Sequence, residues 1–322
     1  MEKVAIVGVT GVVGETLISV LQEHELTNFN YVFYASEKSA GTFIKFNGKE
    51  FIVEKLTDKI FDEHFDYAFF CTTDCVSKQY CLKLARRKTY VIDFSAYYRK
   101  RFPLIVPQVN ASDLFGYLIC NPNCSTIAGV MALYAINNIF QLKRIVYSTY
   151  QAVSGAGQKG LNDLLNNGNF SAFRFPIKDN LIPQIGDIMK DGYSVEEKKM
   201  IYETRKILGN AKLKITATCV RIPITIGHSL SINFETTCNC KINQIAKLIE
   251  MSKGVRFLRK QELAMPLLSR GQELVLVSRL RRDGGLKNCY NIFVSSDNLR
   301  KGAAQNAVEI FELLLKKEHS LG

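Results

Sequence analysis

The sequence lacks an apolar run long enough to cross a membrane. A membrane-spanning helix needs about 20 consecutive apolar residues, whereas the best candidate, Ile127 to Phe140, is shorter and is interrupted by two asparagines. The N-terminus also lacks the pattern of a signal peptide, because it opens with Val4 to Val7, a run that is typical of a strand. We therefore expect a cytoplasmic protein with no membrane partner.

Closely paired metal-binding residues are also lacking. The chain has nine cysteines and four histidines, but no two cysteines form a C-x-x-C pair. An odd number of cysteines in a chain without an export signal favours reduced thiols over disulfides. A structural zinc site needs a closed set of four ligands, so we expect no metal and interpret most thiols as small apolar core residues.

Negative charge is in short supply, with 30 acidic residues against 42 basic ones and a formal net charge of +12. The basic residues are nevertheless scattered, with short clusters at 86–88, 99–101 and 279–282, and no nucleic-acid-binding motif is present. Anionic small molecules account for such a balance at least as well as DNA or RNA does. We therefore expect small anionic ligands and no nucleic-acid partner.

The first part of the chain alternates between strand and helix patterns. Strands are predicted over 4–7, 31–35, 67–71, 90–93 and 118–120, with helices over 12–23 and 75–87. The first strand is continuously apolar, as strands buried on both faces are. This alternation predicts an α/β fold with a parallel sheet.

The remainder of the chain contains longer strands and fewer helices. Strands are predicted over 143–150, 214–219, 230–237, 273–279 and 290–294, and helices over 126–140, 194–208 and 242–253. Ser194 and Glu197 have the spacing of a capping box, which marks the start of one helix. This pattern indicates a second, α+β domain with a mixed or antiparallel sheet. Two domains also suit 322 residues, which exceed the usual single core.

Three glycines with the spacing G-x-x-G-x-x-G separate the first predicted strand from the first predicted helix: Gly8, Gly11 and Gly14. Glycine here permits a tight turn, close approach of the backbone to a pyrophosphate and close packing of helix on strand. The helix N-terminus offers free N–H groups to phosphate. The loop therefore predicts a dinucleotide-binding domain of the Rossmann type.

The end of the second predicted strand bears on the choice of cofactor. NAD sites often place a carboxylate there, and Glu37 is close to that point. Ser36, Lys38 and Ser39 surround it, however, and two hydroxyls with an ammonium suit a 2′-phosphate. We favour NADP and leave NAD open.

Cys124 lies between a predicted strand and a predicted helix. A thiol at a helix N-terminus is exposed to the positive end of the helix dipole, which favours the thiolate. Pro122 fixes the approach of the chain, and Ser125 and Thr126 are candidates to cap the helix. This context favours a nucleophile over a structural cysteine.

His228 ends the segment Arg-Ile-Pro-Ile-Thr-Ile-Gly-His, which begins at Arg221. The other three histidines lie in polar stretches or in the C-terminal tail. A cysteine nucleophile needs a proton acceptor whose pKa is near neutral, and histidine is the side chain that has one without perturbation. We therefore expect His228 to carry the proton.

Five segments occur in order along nearly the whole chain. They are Gly-Val-Thr-Gly-Val-Val-Gly (8–14), Asn-Pro-Asn-Cys-Ser-Thr (121–126), Gln-Ala-Val-Ser-Gly-Ala-Gly (151–157), Arg-Ile-Pro-Ile-Thr-Ile-Gly-His (221–228) and Asp-Asn-Leu-Arg-Lys-Gly-Ala-Ala (297–304). In this combination the chain resembles the aspartate-semialdehyde dehydrogenase family. The second and last segments are specific to that family, whereas the glycine loop is not.

The resemblance implies roles for individual residues. Catalytic roles fall to the nucleophile Cys124, to His228 and to Gln151, which would orient the acyl group. Substrate binding would fall to Arg99, Asn123, Glu196, Lys199 and Arg221. Cofactor binding would fall to Gly8, Thr10, Gly11, Val12, Val13, Ser36, Lys38, Ser39, Ser154, Gly155 and Asn298.

The resemblance also implies a domain plan and a reaction. Residues 1–123, completed by a C-terminal helix over 300–322, would bind NADP, and residues 124–299 would form the catalytic and dimerisation domain of a homodimer. The chain would reduce aspartyl phosphate to aspartate semialdehyde and release phosphate. That reaction feeds the biosynthesis of lysine, through diaminopimelate, and of methionine, threonine and isoleucine.

Two departures from the family pattern and two alternative functions stay open. Lys38 stands where the family usually has arginine, and lysine lacks the planar guanidinium that donates two parallel hydrogen bonds to a phosphate. The loop 71–74 reads Cys-Thr-Thr-Asp, whereas the family's loop is small and glycine-rich. The alternatives are another acyl-phosphate reductase, similar to N-acetylglutamyl-phosphate reductase, and a non-catalytic NADP-binding regulator.

Overall fold

The computed structural model describes residues 1–165, 171–259 and 261–319. The chain divides into two units, one formed by Met1–Pro122 with Ala303–Gly322 and the other by Asn123–Gly302. Residues 320–322, which end the predicted C-terminal helix, lie outside the described residues. No helix in the described part of the chain is both long enough and apolar enough to span a bilayer.

Fourteen strands are formed by the described residues. In chain order they are β1 (Lys3–Val7), β2 (Asn30–Ala35), β3 (Phe43–Phe46), β4 (Lys49–Ile52), β5 (Glu54–Lys55), β6 (Tyr67–Phe70), β7 (Tyr90–Asp93), β8 (Leu118–Cys120), β9 (Leu142–Gln151), β10 (Lys214–Arg221), β11 (His228–Thr236), β12 (Val255–Phe257), β13 (Val275–Arg282) and β14 (Cys289–Ser296).

The α-helices of the described residues vary from one to more than four turns. In chain order they are α1 (Val12–Glu23), α2 (Asp74–Arg86), α3 (Pro107–Asn110), α4 (Cys124–Phe140), α5 (Gly157–Leu165), α6 (Val195–Ile207), α7 (Ile242–Met251), α8 (Pro266–Ser269) and α9 (Gln305–His319). A π-helical turn, Arg300–Ala304, leads into α9.

The first unit is built on a six-stranded sheet with the order β5-β2-β1-β6-β7-β8. Every pairing in it is parallel, which confirms the predicted α/β fold. The residues of β1 from Val4 onward are buried, as expected for a central strand covered on both faces. β3 and β4 form a separate antiparallel pair that the sequence did not predict.

The core of the first unit joins α1 and α9 to the central strands. Phe311 of α9 is fully buried, with ring centroids 4.8 Å from Tyr67 and 5.4 Å from Phe69. Edge-on aromatic contacts of this kind add to the free energy gained by burial. The last helix is thereby part of the same core as the first strands.

The second unit is built on a sheet with the order β10-β9-β11-β14-β13-β12. β9 with β10, and β12 with β13, are parallel pairs, and the other pairings are antiparallel. The mixed sheet predicted for this domain is confirmed. The predicted capping box is also present, because the side chains of Ser194 and Glu197 each accept a hydrogen bond from the other's backbone N–H.

Candidate active site

Three predicted site residues stand in one row at the edge of the second unit's sheet. Gln151 ends β9, and its partners in register are Arg221, which ends the parallel strand β10, and His228, which begins the antiparallel strand β11. Residues paired in register project from the same face of a sheet. All three side chains are buried, with at most 4% of their surface exposed.

The loop of residues 222–227 connects the two outer members of this row. It leaves β10 on one side of β9 and enters β11 on the other, so it passes over the end of β9. The backbone N–H of Ile222 donates to the Gln151 carbonyl, and the Ile224 carbonyl accepts from Val153. The loop therefore holds Arg221 and His228 at a fixed separation.

Cys124 is the first residue of α4 and is half-buried. The preceding residue, Asn123, is the N-cap, and its Oδ1 accepts hydrogen bonds from the backbone N–H groups of Ser125 (3.0 Å) and Thr126 (3.2 Å). The expectation that Ser125 or Thr126 caps this helix is therefore wrong. Both lie inside the first turn, where their N–H groups are the donors that a cap must satisfy.

Two carboxylates of helix α6 accept hydrogen bonds from the cap residue Asn123. Glu196 accepts from the Asn123 side-chain amide at 2.7 Å, and Glu203 accepts from the Asn123 backbone N–H at 2.7 Å. Lys199 lies 3.4 Å from Glu196, one helical turn along. The structure thus brings together Asn123, Glu196 and Lys199, and it adds Glu203, which is fully buried and which sequence reasoning missed.

Arg221 is a buried cation at the side of this cluster. Its Nη1 donates to the Ala152 carbonyl at 2.6 Å, and its Cζ lies 5.9 Å from the centre of the Phe173 ring. Burial lowers the pKa of Arg221 from its ordinary value, while the nearby Glu196 and Cys124 act in the opposite direction. A guanidinium stays charged despite such a shift, so it can bind a carboxylate.

His228 is fully buried, and its two ring nitrogens have different surroundings. The backbone N–H of Ala152 donates to Nδ1 at 3.1 Å, whereas Nε2 has no hydrogen-bond partner among the described residues. Burial and then the charge of Arg221 lower the pKa of His228 to about 3, against smaller opposing effects of Glu196 and the Gly227 backbone. A neutral ring that accepts at Nδ1 carries its proton on Nε2.

Asn298 fixes the loop that leads into His228. Its Oδ1 accepts from the Gly227 backbone N–H at 2.8 Å, and its Nδ2 donates to the Ser154 hydroxyl at 3.0 Å. Gly227 has a φ of +102°, and a Cβ there would lie 2.8 Å from Pro266. Only glycine fits both conditions, which explains the glycine next to the histidine.

Two glycines lie against the reactive side chains. A Cβ on Gly302 would lie 2.9 Å from the Cβ of Cys124, and a Cβ on Gly155 would lie 2.7 Å from Arg221 Nη1 and 3.4 Å from His228 Nε2. Gly155 was predicted as a cofactor contact, and Gly302 was not predicted. The sequence signal for Gly302 was its place in the family-specific segment Asp-Asn-Leu-Arg-Lys-Gly-Ala-Ala (297–304).

Arg99 belongs to the first unit, unlike the other predicted substrate residues. It is 7% exposed, and its Nη2 donates to the Phe94 carbonyl at 2.7 Å. Asp93 organises the same loop, accepting from Ser77 at 2.7 Å and from the Ser95 backbone at 3.0 Å. The direction of Arg99 is therefore set by the segment that follows β7.

The glycine loop of the first unit is shaped to approach an anion. Gly8 has a φ of +86°, and a Cβ there would lie 2.3 Å from the Cys71 carbonyl, while a Cβ on Gly14 would lie 2.3 Å from the Gly8 carbonyl. Gly11 is the N-cap of α1 and supplies no side-chain cap. The N–H groups at this helix end are therefore available to a pyrophosphate, with Thr10, Val12 and Val13 beside them.

The turn after β2 carries the predicted ribose contacts. Ser36 and Lys38 are exposed and Ser39 is half-buried. Glu37 accepts a hydrogen bond from Lys55 Nζ at 2.8 Å, and this bond and the lysine charge lower the pKa of Glu37. Because Lys55 offsets the charge of Glu37, the turn suits a 2′-phosphate better than the sequence alone indicated.

Among the residues that the structure describes, no group of three or more His, Cys, Asp or Glu side chains is placed to hold a metal ion.

Two family models match the chain. Residues 3–117 match the NAD binding domain of semialdehyde dehydrogenases, and residues 133–301 match their dimerisation domain. An aspartate-semialdehyde dehydrogenase from Aquifex aeolicus is 41% identical, covering 98% of both chains. Aspartate-semialdehyde dehydrogenase 2 from Vibrio cholerae is 36% identical, covering 97% of both chains.

Solved structures agree with these sequence relatives. Aspartate semialdehyde dehydrogenase II from Vibrio cholerae, in complex with ASA, has a TM-score of 0.94 at 35% identity and covers 98% of both chains. The enzyme from Candida albicans, solved with NADP, shares the fold with a TM-score of 0.78 at 23% identity, covering 99% of both chains. The chain belongs to the aspartate-semialdehyde dehydrogenase family.

Proposed function

We propose that the chain catalyses the reversible, NADPH-dependent reductive dephosphorylation of L-aspartyl 4-phosphate to L-aspartate 4-semialdehyde. The observation that carries this proposal is the row Arg221–Gln151–His228, in the unit that also places Cys124 at a helix N-terminus. The cation of this row, Arg221, interacts electrostatically with the carboxylate of Glu196. They match the α-carboxylate and α-ammonium of the substrate.

Cys124 performs the first step of the proposed reaction. Its thiolate attacks the acyl carbon of aspartyl phosphate, the bond from that carbon to the phosphate oxygen breaks, and phosphate leaves with the bonding electrons. A thioester remains on Cys124. The cap provided by Asn123, supported by Glu196 and Glu203, orients the start of α4 and with it the sulfur.

NADPH, when bound, supplies the hydride that the thioester carbon accepts. His228 faces the oxygen that then becomes negative, and its Nε2–H stabilises that oxygen as a hydrogen-bond donor. The oxyanion re-forms the carbonyl and expels the Cys124 thiolate, so the step needs no net proton. The hydrogen bond at Nδ1 supports this donor role, and the proton-carrier role expected from the sequence stays a prediction.

The remaining residues bind and orient the substrate. Arg221 binds the α-carboxylate, a planar anion that suits a guanidinium, and Glu196 binds the α-ammonium. Lys199 and Arg99 bind the phosphate, with Asn123 beside it, and Gln151 orients the acyl group. Ser154 and Gly155, with Asn298, border the nicotinamide, while the glycine loop and Ser36, Lys38 and Ser39 hold the adenosine half of NADP.

The domain plan follows the same proposal. Residues 1–123 with 300–322 bind NADP, and residues 124–299 form the catalytic domain through which two copies assemble as a homodimer in the cytoplasm. The dimerisation model matched at 133–301 supports the second assignment. The product would enter amino-acid biosynthesis.

Reduction of NADP by the purified protein with aspartate semialdehyde, with and without phosphate, tests the function. Activity that requires phosphate and prefers NADP over NAD is expected. Preference for NAD would keep the chemistry and return the ribose contact to Glu37. Absence of activity with either cofactor, in protein shown to be folded, would contradict the proposal.

A further inference from the structure

The direction of the Arg221 guanidinium depends on a neighbour outside the catalytic row. Beside its hydrogen bond to the Ala152 carbonyl, the guanidinium packs on the ring of Phe173, whose centre is 5.9 Å from Cζ. Arg221 Nε has no hydrogen-bond partner among the described residues. An arginine on an aromatic face is oriented by that face as well as attracted to it.

Phe173 is held in place by a buried carboxylate. Asp163, near the end of α5, is 2% exposed. Its Oδ2 accepts from the backbone N–H groups of Phe173 (3.1 Å), Ala172 (2.8 Å) and Ser171 (3.1 Å). Its Oδ1 accepts from the Ser171 backbone (2.9 Å) and hydroxyl (3.1 Å).

The N–H and O–H groups of residues 171–173 require Asp163 to be ionised. Burial acts to raise the pKa of Asp163, but the hydrogen bonds from Ser171, Ala172 and Phe173 outweigh burial and hold the pKa below its usual value. Every donor is an N–H or O–H group, so both carboxylate oxygens must accept. An amide in the same place would present its NH₂ group to backbone N–H groups.

Helix α5, which carries Asp163, is fixed to the catalytic part of the unit. A Cβ on Gly160 would lie 2.3 Å from the Val153 carbonyl, so the helix packs closely on the segment Val153–Ala156. Phe173 in turn packs with Val153, Ile177 and Ile182. Asp163 and the Phe173 ring are therefore both held by the same packed group of residues.

A cavity of about 430 Å³ lies beside Arg221. Phe173 and its neighbours 172–175 line one part of it, and residues 182 and 184–187 line another. Ile182 exchanges backbone hydrogen bonds with Arg221 at 2.8 and 2.9 Å. The position of the 171–173 segment therefore determines both the shape of this cavity and the direction of the guanidinium in its wall.

We propose that Asp163 is a positioning residue for substrate binding. Through its hydrogen bonds to residues 171–173 it places the Phe173 ring against Arg221 and so directs the guanidinium at the substrate's α-carboxylate. The inference rests on the carboxylate-binding role proposed for Arg221. It assigns a function to a side chain that does not line the cavity beside Arg221.

The test compares Asp163→Asn with the unchanged protein. The substitution keeps volume and shape but removes one acceptor oxygen. We expect the KM for aspartate semialdehyde to rise about tenfold, the scale of a lost cation–π contact, with kcat within about twofold and the KM for NADP unchanged. Asp283→Asn is the matched control, because Asp283 also accepts a backbone N–H, from Gly285 at 2.8 Å.

A double-mutant cycle separates positioning from general structural damage. If Asp163 acts through Arg221, Asp163→Asn should raise the KM much less in an Arg221→Lys background. Phe173→Leu, which removes the aromatic face but keeps the carboxylate, should reproduce the KM effect even if Asp163→Asn folds poorly.

An unchanged KM in Asp163→Asn, or equal losses in kcat and in the affinity for NADP, would overturn the positioning role. Failure of the proposed function itself would look different, because the unchanged protein would then show no phosphate-dependent turnover.

Discussion

The two units build their proposed sites from different parts of the chain. For the proposed pyrophosphate site, the first unit uses backbone: a glycine turn and the N-terminus of α1, which has no side-chain cap, offer N–H groups. The second uses side chains, which strand register gathers into one row from β10, β9 and β11. A backbone site needs the right spacing in one segment, whereas a side-chain site needs several distant segments to pair correctly.

Loss of the nucleophile should give the largest effect. Cys124→Ala should lower turnover by about 10⁴-fold or more, as removal of a covalent nucleophile does. Cofactor binding, which depends on the backbone site, should be retained, and equilibrium titration followed by NADPH fluorescence would check this. Cys238→Ala is the control, since Cys238 is an exposed thiol of the same unit. Unchanged turnover in Cys124→Ala would refute the covalent mechanism.

Crowding of the nucleophile should have the next largest effect. Gly302→Ala places a methyl group 2.9 Å from the Cβ of Cys124, and displacement of a reacting group by about 1 Å can cost about 10²-fold in kcat. Steady-state kinetics would measure it. Gly284→Ala is the comparison, because a Cβ on Gly284 meets nothing within 4 Å. Equal kcat values in the two variants would contradict the close approach.

Burial of His228 should make stability depend on pH. The pKa of about 3 lies below the ordinary 6.5, so between these values the unfolded chain binds the extra proton, and stability falls as pH falls. The loss is about 2 kcal/mol at pH 5. Denaturant unfolding at pH 7 and at pH 5 would measure this. Between the two pH values the unchanged protein should lose more unfolding free energy than His228→Gln does. Parallel pH dependence in both proteins would show that His228 is not buried as a neutral ring.

The smallest effect is expected at the ribose turn. Lys38→Arg would restore a planar fork to an exposed position, and the KM for NADP should fall by about two- to fivefold with kcat unchanged. The KM for NAD should not change, since NAD has no 2′-phosphate. A similar fall for both cofactors would show that Lys38 does not contact the phosphate.

The contrast between the units also explains what could be predicted from sequence. Helix α1 was predicted with the bounds it has, because the glycine loop marks its start. The strands of the catalytic row were predicted too short: 143–150, 214–219 and 230–237, against Leu142–Gln151, Lys214–Arg221 and His228–Thr236. The omitted ends carry Gln151, Arg221 and His228, whose polarity resembles that of loop residues.

Other features depended on contacts that no local pattern shows. Asn123 rather than Ser125 caps α4, because the helix begins two residues earlier than the hydroxyls suggested. β3 and β4 are largely exposed and give no alternating pattern. Asp163 and Gly302 take their importance from residues that approach them through the tertiary fold.

The loop of residues 222–227 sets a length scale for the substrate. The loop passes over one strand, β9. Arg221, proposed to bind the carboxylate, and His228, proposed to face the reacting oxygen, are therefore separated by two strand spacings, about 9.6 Å between backbones. A substrate one methylene longer or shorter would reach only one of them in the correct position. The strand order β10-β9-β11, which places both groups in register with Gln151, therefore limits which carbon chains fit between them.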